Sequence, residues 1–342
     1  NPLYNRQLLT DNHQKPMKAA CFSEFGLPQE VLKIEELPIP QPGPGEVLVR
    51  LQSRPINPAD LFQIMGIYGI KPQLPAVGGM EGAGVIEQVG EGVELQIGQK
   101  VVPLKTGSGT WQEYVVAKAV QVIPVPDELS VETASTVVVN PLSAYLMTRE
   151  IMKVPEGEWL VQTAAGSALG QMVIQLSKVY GFKTINLVRR REQFDELTAL
   201  GADACICTSD EIIARRIQEI TDGAGVKYAI DAVAGKIGSQ VANALTIGGT
   251  MLVYGALDQE GLLLNPGSMI FKQLIIKGFW LSRWIAEAAP EQRLGLIQAV
   301  LPLVMSGKIQ SPIAARYNLD DITQAVTHAQ QAARGGKILI VG

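Results

Sequence analysis

Two histidines, His13 and His328, and three cysteines, Cys21, Cys205 and Cys207, are all that the 342 residues contain of those two types. Zinc is held by Cys, His and carboxylate groups in a tetrahedral array, and these five residues show no ligand spacing. No metal site is expected. Three cysteines cannot all pair with one another, and Cys205 and Cys207 alternate within "ACIC" as one face of a strand. The plain reading is a reduced intracellular chain, placed in the cytoplasm. Charge of one sign is also missing: 29 Lys and Arg against 33 Asp and Glu leave a net charge of −4. Nothing in that balance offers a nucleic acid a basic surface. Long apolar runs are scarce too. Residues 159–177 carry no charge, yet Gln162, Thr163, Ser167, Gln171, Gln175 and Ser177 lie among them with Gly166 and Gly170. That is a buried strand and helix, and no membrane span. Residues 1–16 are polar and aperiodic, without the apolar core of a signal or the arginines of a transit peptide, and Met17 opens "MKAACF" as a natural start would. They read as an extension.

What the chain does have is 47% hydrophobic residues, 34 glycines and 20 prolines. That composition describes a globular protein with many turns, and its length suits two domains. Residues 17–139 are β-rich: "EVLVRL", "GAGVIEQVG", "QKVVPL" and "EYVVA" have strand length and Gly or Pro punctuation. Across residues 140–283 strands and helices alternate, from "WLVQTA" and "SALGQMVIQLSKVYG" to "IGSQVANALTIGG", "TMLVYGA" and "LIIKGFWL". Alternation of this kind predicts an α/β fold with a doubly wound parallel (Rossmann) sheet. Residues 284–342 read as helices ending in the strand "KILIVG", a segment expected to pack back on the first domain.

The first βα turn of the wound domain is "TAAGSALG", 163–170. A dinucleotide turn needs small residues at spaced positions, for the tight bend, the approach of the pyrophosphate and helix packing. Ala165, Ser167 and Gly170 stand at those positions, a degenerate match in the right strand-turn-helix order. The plain alternative is a tight turn with no ligand. Nineteen residues past Gly170 comes Arg189-Arg190-Arg191, where an enzyme selective for NAD would place an acid on the ribose hydroxyl. Cations at the head of a helix oppose its dipole; a 2′-phosphate would offset that and accept charge-assisted hydrogen bonds. NADPH is therefore the expected cofactor. Scarce aromatic residues gather in "GFWLSRW", at the end of a late strand.

"NPAD" at 57–60 and "GMEGAGVIEQVG" at 79–90 resemble the medium-chain dehydrogenase/reductase superfamily. Its zinc alcohol dehydrogenases carry a Cys and a His where this chain has Asn57 and Met80, and the structural zinc loop of four cysteines is absent. "RPINPADLFQIMGIYG", "LPAVGGMEG", "GTWQEY", "VNPLSAY", "TINLVRRR", "LVYGAL" and "GFWLSRW" are similar, in that order, to the mitochondrial 2-enoyl thioester reductases and their bacterial relatives, with the quinone oxidoreductases more distant. The resemblance implies a GroES-like catalytic domain at 17–139 and 284–342 and an NADPH-binding domain at 140–283. It also implies that Tyr68 is the proton donor. The cofactor contacts it implies are Asn140, Gly166, Ser167, Ala168, Leu169, Gly170, Arg189, Arg190, Arg191, Tyr254, Gly255, Ala256, Leu257, Phe279, Trp280, Leu281 and Lys337. Two departures stand out: the turn lacks the family's Asn-Ser-Gly-Val, and Arg190 replaces a common Asp.

Tyr68 lies between Gly66 and Gly69, a poor setting for core packing and a good one for a reacting side chain. The expected reaction is reduction of a double bond conjugated to a carbonyl, with hydride to the β-carbon and a proton from Tyr68 to the α-carbon. Rival readings are a quinone or small-enone reductase and a non-catalytic NADPH-binding protein. The expected partners are a small-molecule substrate and a second copy of the chain, with neither nucleic acid nor membrane. The apolar late strands suit a homodimer formed at a sheet edge.

Overall fold

In the computed structural model of the protein, residues 15–332 and 334–342 are described; of the expected extension, residues 1–14 lie outside them. The chain divides into unit 1, up to Thr136 and again from Ile313 to Gly342, and unit 2, Val137–Pro312. In chain order unit 1 contributes β1 (Met17–Phe22), β2 (Lys33–Leu37), β3 (Glu46–Pro55), β4 (Ala76–Val77), β5 (Ala83–Val89), β6 (Lys100–Pro103), β7 (Tyr114–Lys118) and β8 (Val122–Pro124). Unit 2 contributes β9 (Trp159–Gln162), β10 (Lys183–Val188), β11 (Ala204–Cys207), β12 (Val226–Asp231), β13 (Leu245–Val253) and β14 (Ile275–Gly278). β15 (Ile313–Asn318) and β16 (Lys337–Val341) return to unit 1.

Unit 1 is built on a seven-stranded sheet in the order β15-β16-β3-β5-β6-β8, with β7 also paired to β3. The central strand β3 is buried at most of its ten positions because β16, β5 and β7 all pair with it. Val47, Val49, Leu51, Ile86, Val101 and Val115 form one apolar cluster. Phe22, Ile56, Ile64, Trp111, Val326 and Ile338 belong to another, under the helix Ile322–Ala329. Burying each such side chain contributes about 1.5–3 kcal/mol.

Unit 2 holds the expected doubly wound sheet, all parallel, in the order β11-β10-β9-β12-β13-β14. The strand order reverses beside β9, the switch point where such sheets bind ligands. Two sequence expectations change. The helix read over 237–249 is Gly235–Ala244, and "LTIGG" already belongs to β13, whose pairing with β12 slips between Val226 and Tyr228. The return to the first domain comes at Ile313 instead of residue 284. Helices Leu281–Glu287 and Pro290–Met305 stay in unit 2 and pack on the helix Val139–Tyr145. Leu296, Val300 and Val304, four residues apart, bury one face of the longer helix. That spacing states that a face needs covering, and not what covers it.

Candidate active site

All strands of a parallel sheet end on one edge, and the candidate nucleotide residues of unit 2 follow five of those ends. Ala164–Gly170 follow β9, Arg189–Arg191 follow β10, Ala232–Ala234 follow β12 after its last residue Asp231, Tyr254–Leu257 follow β13, and Phe279–Leu281 follow β14. The first turn bends through Ala164 at φ +50°. Ser167 caps the helix Ala168–Tyr180, its hydroxyl accepting from Gly170 N at 3.1 Å. Gly170 is required there: a Cβ would sit 2.5 Å from Ala165 O. The first N–H groups of a helix lack intrahelical partners, which makes the head of Ala168–Tyr180 an anion-binding arrangement.

Thr163 and Asp231, which no sequence motif singles out, join two of these loops. Thr163 Oγ1 donates to Asp231 Oδ1 at 2.6 Å and accepts from Ala232 N at 2.9 Å. Val233 N and Ala234 N each donate to the Asp231 carboxylate at 3.0 Å. The 254–257 segment is laced onto the same loop by Tyr254 N to Asp231 O and Leu257 N to Ala232 O. A Cβ on Gly255 would meet Ala232 O at 2.7 Å. The buried Tyr254 hydroxyl faces Ser167 of the first turn. Burial pushes its pKa up, the charge of Asp231 adds to that, and Ser167 opposes it. The close backbone approaches at Gly170 and Gly255, which a Cβ would close, fit a cradle for a dinucleotide phosphate.

Arg189 and Arg190 are exposed, and neither side chain makes an ion pair among the described residues. Arg191 is engaged: its Nε lies 2.8 Å from Asp210 Oδ2. Gln193 is a further contact that its sequence position does not announce. A Cβ on Gly166 would come within 2.2 Å of its Nε2, so the Gln193 amide covers that glycine. Asn140 is half-buried in the helix Val139–Tyr145, just before a π-helical turn at Leu146–Ile151. Phe279 is buried and its N–H donates to Val253 O, while Trp280 is half-buried at the head of the next helix, which Leu281 begins. These two lie beyond β14, whose pairing stops at Gly278.

In unit 1, Tyr68 follows the helix Pro58–Ile64 on a loop tied by Met65 N to Leu61 O, Gly66 N to Gln63 O, and Ile67 N and Tyr68 N to Phe62 O. Gly66 adopts φ +73°, and a Cβ there would meet the Phe25 ring at 2.9 Å. Tyr68 is half-buried, with Ile67, Gly69 and Ile70 exposed around it. That is not core packing.

The head of the same helix carries a buried polar cluster. Asn57 N donates to Asp60 Oδ2 at 2.6 Å, Asn57 Nδ2 donates to Glu81 Oε2 at 3.1 Å, and Lys337 Nζ donates to Asn57 Oδ1. Asn57, Asp60, Glu81 and Lys337 are each at most 2% exposed. Burial pushes the Asp60 carboxyl up to about 7, Glu81 adding to the rise while the N–H groups of Asn57 and Met80 and the charge of Lys337 hold it down. Lys337 is lowered, by burial first. The lysine expected to touch cofactor is thus placed on Asn57, in unit 1.

Residues 43–127 match the alcohol dehydrogenase GroES-like domain family and residues 168–298 the zinc-binding dehydrogenase family. The chain is 36% identical over 309 residues to the mitochondrial enoyl-[acyl-carrier-protein] reductase of Caenorhabditis elegans, spanning 88% of each. Among solved structures, a mutant form of enoyl thioester reductase from Candida tropicalis superimposes with a TM-score of 0.84 at 26% identity, covering 96% of this chain and all of that one. The quinone oxidoreductase of Pseudomonas syringae pv. Tomato DC3000 gives 0.86 at 26% identity, over 95% of this chain and 100% of its own. The fold and these likenesses define an oxidoreductase, and the chain belongs to the medium-chain dehydrogenase/reductase superfamily, in the branch of the enoyl thioester reductases. Zinc, which one matched family's description carries, does not fit the residues here. The Asn57 amide is spent on Glu81 and Lys337, and an ammonium ion stands beside the two carboxyls that a metal would need. Among the described residues no group of three or more His, Cys, Asp and Glu is placed to hold a metal.

Proposed function

We propose that the protein reduces the double bond of an α,β-unsaturated carbonyl compound, a trans-2-enoyl thioester, with NADPH as cofactor and without zinc. The observation that carries this reading is Tyr68: a partly exposed phenol on a loop held rigid by its backbone. The likeness to enoyl-[acyl-carrier-protein] reductases along most of the chain supports it. The cofactor, when bound, supplies the hydride for the β-carbon. Gly166 to Gly170, with the N–H groups at the head of their helix, would hold its pyrophosphate, and arginines of the Arg189–Arg191 run would meet its 2′-phosphate. Tyr254 and the laced segment Gly255-Ala256-Leu257 line the same edge, with Asn140, Phe279, Trp280 and Leu281. As the β-carbon accepts hydride, the π electrons move toward the carbonyl oxygen, and the α-carbon becomes basic. Tyr68 gives it the proton, which completes the saturated thioester.

The second reading, a quinone reductase, rests on the equal likeness to a quinone oxidoreductase fold. Steady-state rates with a medium-chain enoyl-CoA and with a benzoquinone, each with NADPH, separate the two. Turnover of the thioester is expected to dominate; a protein that reduces only the quinone refutes the thioester assignment.

A homodimer is part of this proposal. β14 ends the sheet order of unit 2, and Ile275 on it is 55% exposed, with Ile270 and Phe271 of the preceding helix exposed as well. An open apolar edge strand invites pairing with a copy of itself. Light scattering should give twice the 36.8 kDa chain mass; a monomer at every concentration tested overturns this.

A further inference from the structure

Three consecutive arginines follow β10, but the structure does not leave them equivalent. Arg191 bridges from its own turn to the loop after β11. Its Nε lies 2.8 Å from Asp210 Oδ2, its Nη2 3.5 Å from Glu211 Oε2, and its guanidinium carbon 5.7 Å from the centre of the Phe194 ring. Glu211 is itself anchored, accepting from Cys207 N at 2.7 Å and lying 2.8 Å from Arg216 Nε. One exposed ion pair contributes little. A carboxylate shared between two arginines and a backbone N–H is a network, and it ties the β10 turn to the neighbouring strand's end.

Arg189 and Arg190 have no such commitments. Among the described residues neither guanidinium makes an ion pair or a side-chain hydrogen bond, and both are exposed. Their backbone is nevertheless held. Cys207 Sγ lies 3.5 Å from Arg189 O, and Gln193 N donates to Arg190 O at 3.3 Å. Arg190 is in extended conformation, φ −137° and ψ 133°, immediately before the 3-10 turn Arg191–Gln193. Gln193, at the end of that turn, brings its amide over Gly166 of the pyrophosphate turn. The turn therefore carries two free cations at one end and touches the dinucleotide turn at the other, with Arg191 fastened between them.

We infer that recognition of the 2′-phosphate is divided. Arg189 and Arg190 are its ligands, and Arg191 is a positioning residue that holds the turn and pairs Asp210, while Glu211 keeps Arg216 and the Cys207 N–H as partners. This rests on the NADPH reading above. It makes Arg190, the departure from the family's common Asp, a phosphate ligand, and takes Arg191 out of that role.

Calorimetric titration with 2′,5′-ADP and with 5′-AMP tests it without turnover, since the two probes differ only in the 2′-phosphate. Arg190→Ala should weaken 2′,5′-ADP by about tenfold or more, the worth of a charge-assisted hydrogen bond, and leave 5′-AMP unchanged. Arg191→Ala combined with Asp210→Asn removes the brace together with its main carboxylate, and Glu211 keeps Arg216 and the Cys207 N–H. It should weaken both nucleotides in step, their affinity ratio holding within roughly threefold. If the double variant loses 2′,5′-ADP selectively, or if Arg190→Ala keeps full preference for it, the division is wrong. If the wild-type protein itself shows no preference for 2′,5′-ADP over 5′-AMP, the NADPH assignment fails instead.

Discussion

Tyr68→Phe is expected to reduce enoyl thioester turnover by roughly 10²–10⁴-fold, the usual contribution of a positioned general acid. The substitution keeps the ring and removes only the hydroxyl. The loop owes its shape to backbone bonds onto Leu61, Phe62 and Gln63 and to Gly66 at φ +73°, none of which involves the phenol oxygen. The loop should therefore keep its backbone shape, and a melting curve checks that the variant is folded. With a quinone acceptor the loss should be smaller, because water can protonate oxygen. Single-turnover rates with saturating NADPH measure the step directly. A Phe variant that reduces the enoyl thioester at nearly the wild-type rate would mean that Tyr68 only packs, and the proposed mechanism would be abandoned.

Lys337→Met is expected to destabilise the folded protein strongly. Lys337 is 2% exposed, donates to Asn57, and carries a charge that acts on both Asp60 and Glu81. Methionine keeps most of the stem and deletes a positive charge that lies beside two buried acids. Breaking a buried pair in this way costs about 3–5 kcal/mol. The loss should depend on pH in a definite direction. Asp60 has a folded pKa raised from 3.8 to about 7, so between those values the folded chain holds a proton that the unfolded chain has released. Its contribution to stability therefore falls as pH rises from about 4 to about 7 and is level above that. Without Lys337 the carboxyl rises further, and the decline extends to higher pH. Urea unfolding at pH 5 and pH 8 should show the variant nearest to wild type at the acid end. A loss below about 1 kcal/mol at pH 8, no more than an exposed pair is worth, would show that the ammonium does not hold this cluster together. Asp60→Asn provides a second route if Lys337→Met does not fold: it should flatten the decline between pH 4 and pH 7. The same cluster bears on zinc, since exhaustive chelation should leave wild-type activity unchanged. Stoichiometric zinc that is required for activity would overturn the zinc-free reading.

The architecture of unit 2 was legible because most of its elements announce themselves locally. Alternating apolar strands and helices, ended by Gly or a polar cap, specify a parallel wound sheet, and Gly170 marks the helix that must lie close to its turn. The arginine run was legible for the same reason: three charges in succession at a strand end are a local pattern. Periodicity, however, reports that a face is buried without saying against what. So the sequence placed residues 284–312 with the first domain, whereas Leu296, Val300 and Val304 are buried within unit 2. Contacts between remote positions were likewise out of reach. Asn57, Glu81 and Lys337 come together from three places in the chain, Thr163 meets Asp231 across 68 residues, and Arg191 finds Asp210 on the neighbouring strand's loop. Residue type and spacing determined which groups this protein has available for chemistry. Only tertiary structure decided which are free to act and which are already held, because a charge is committed by the partner that folding brings within about 3 Å of it.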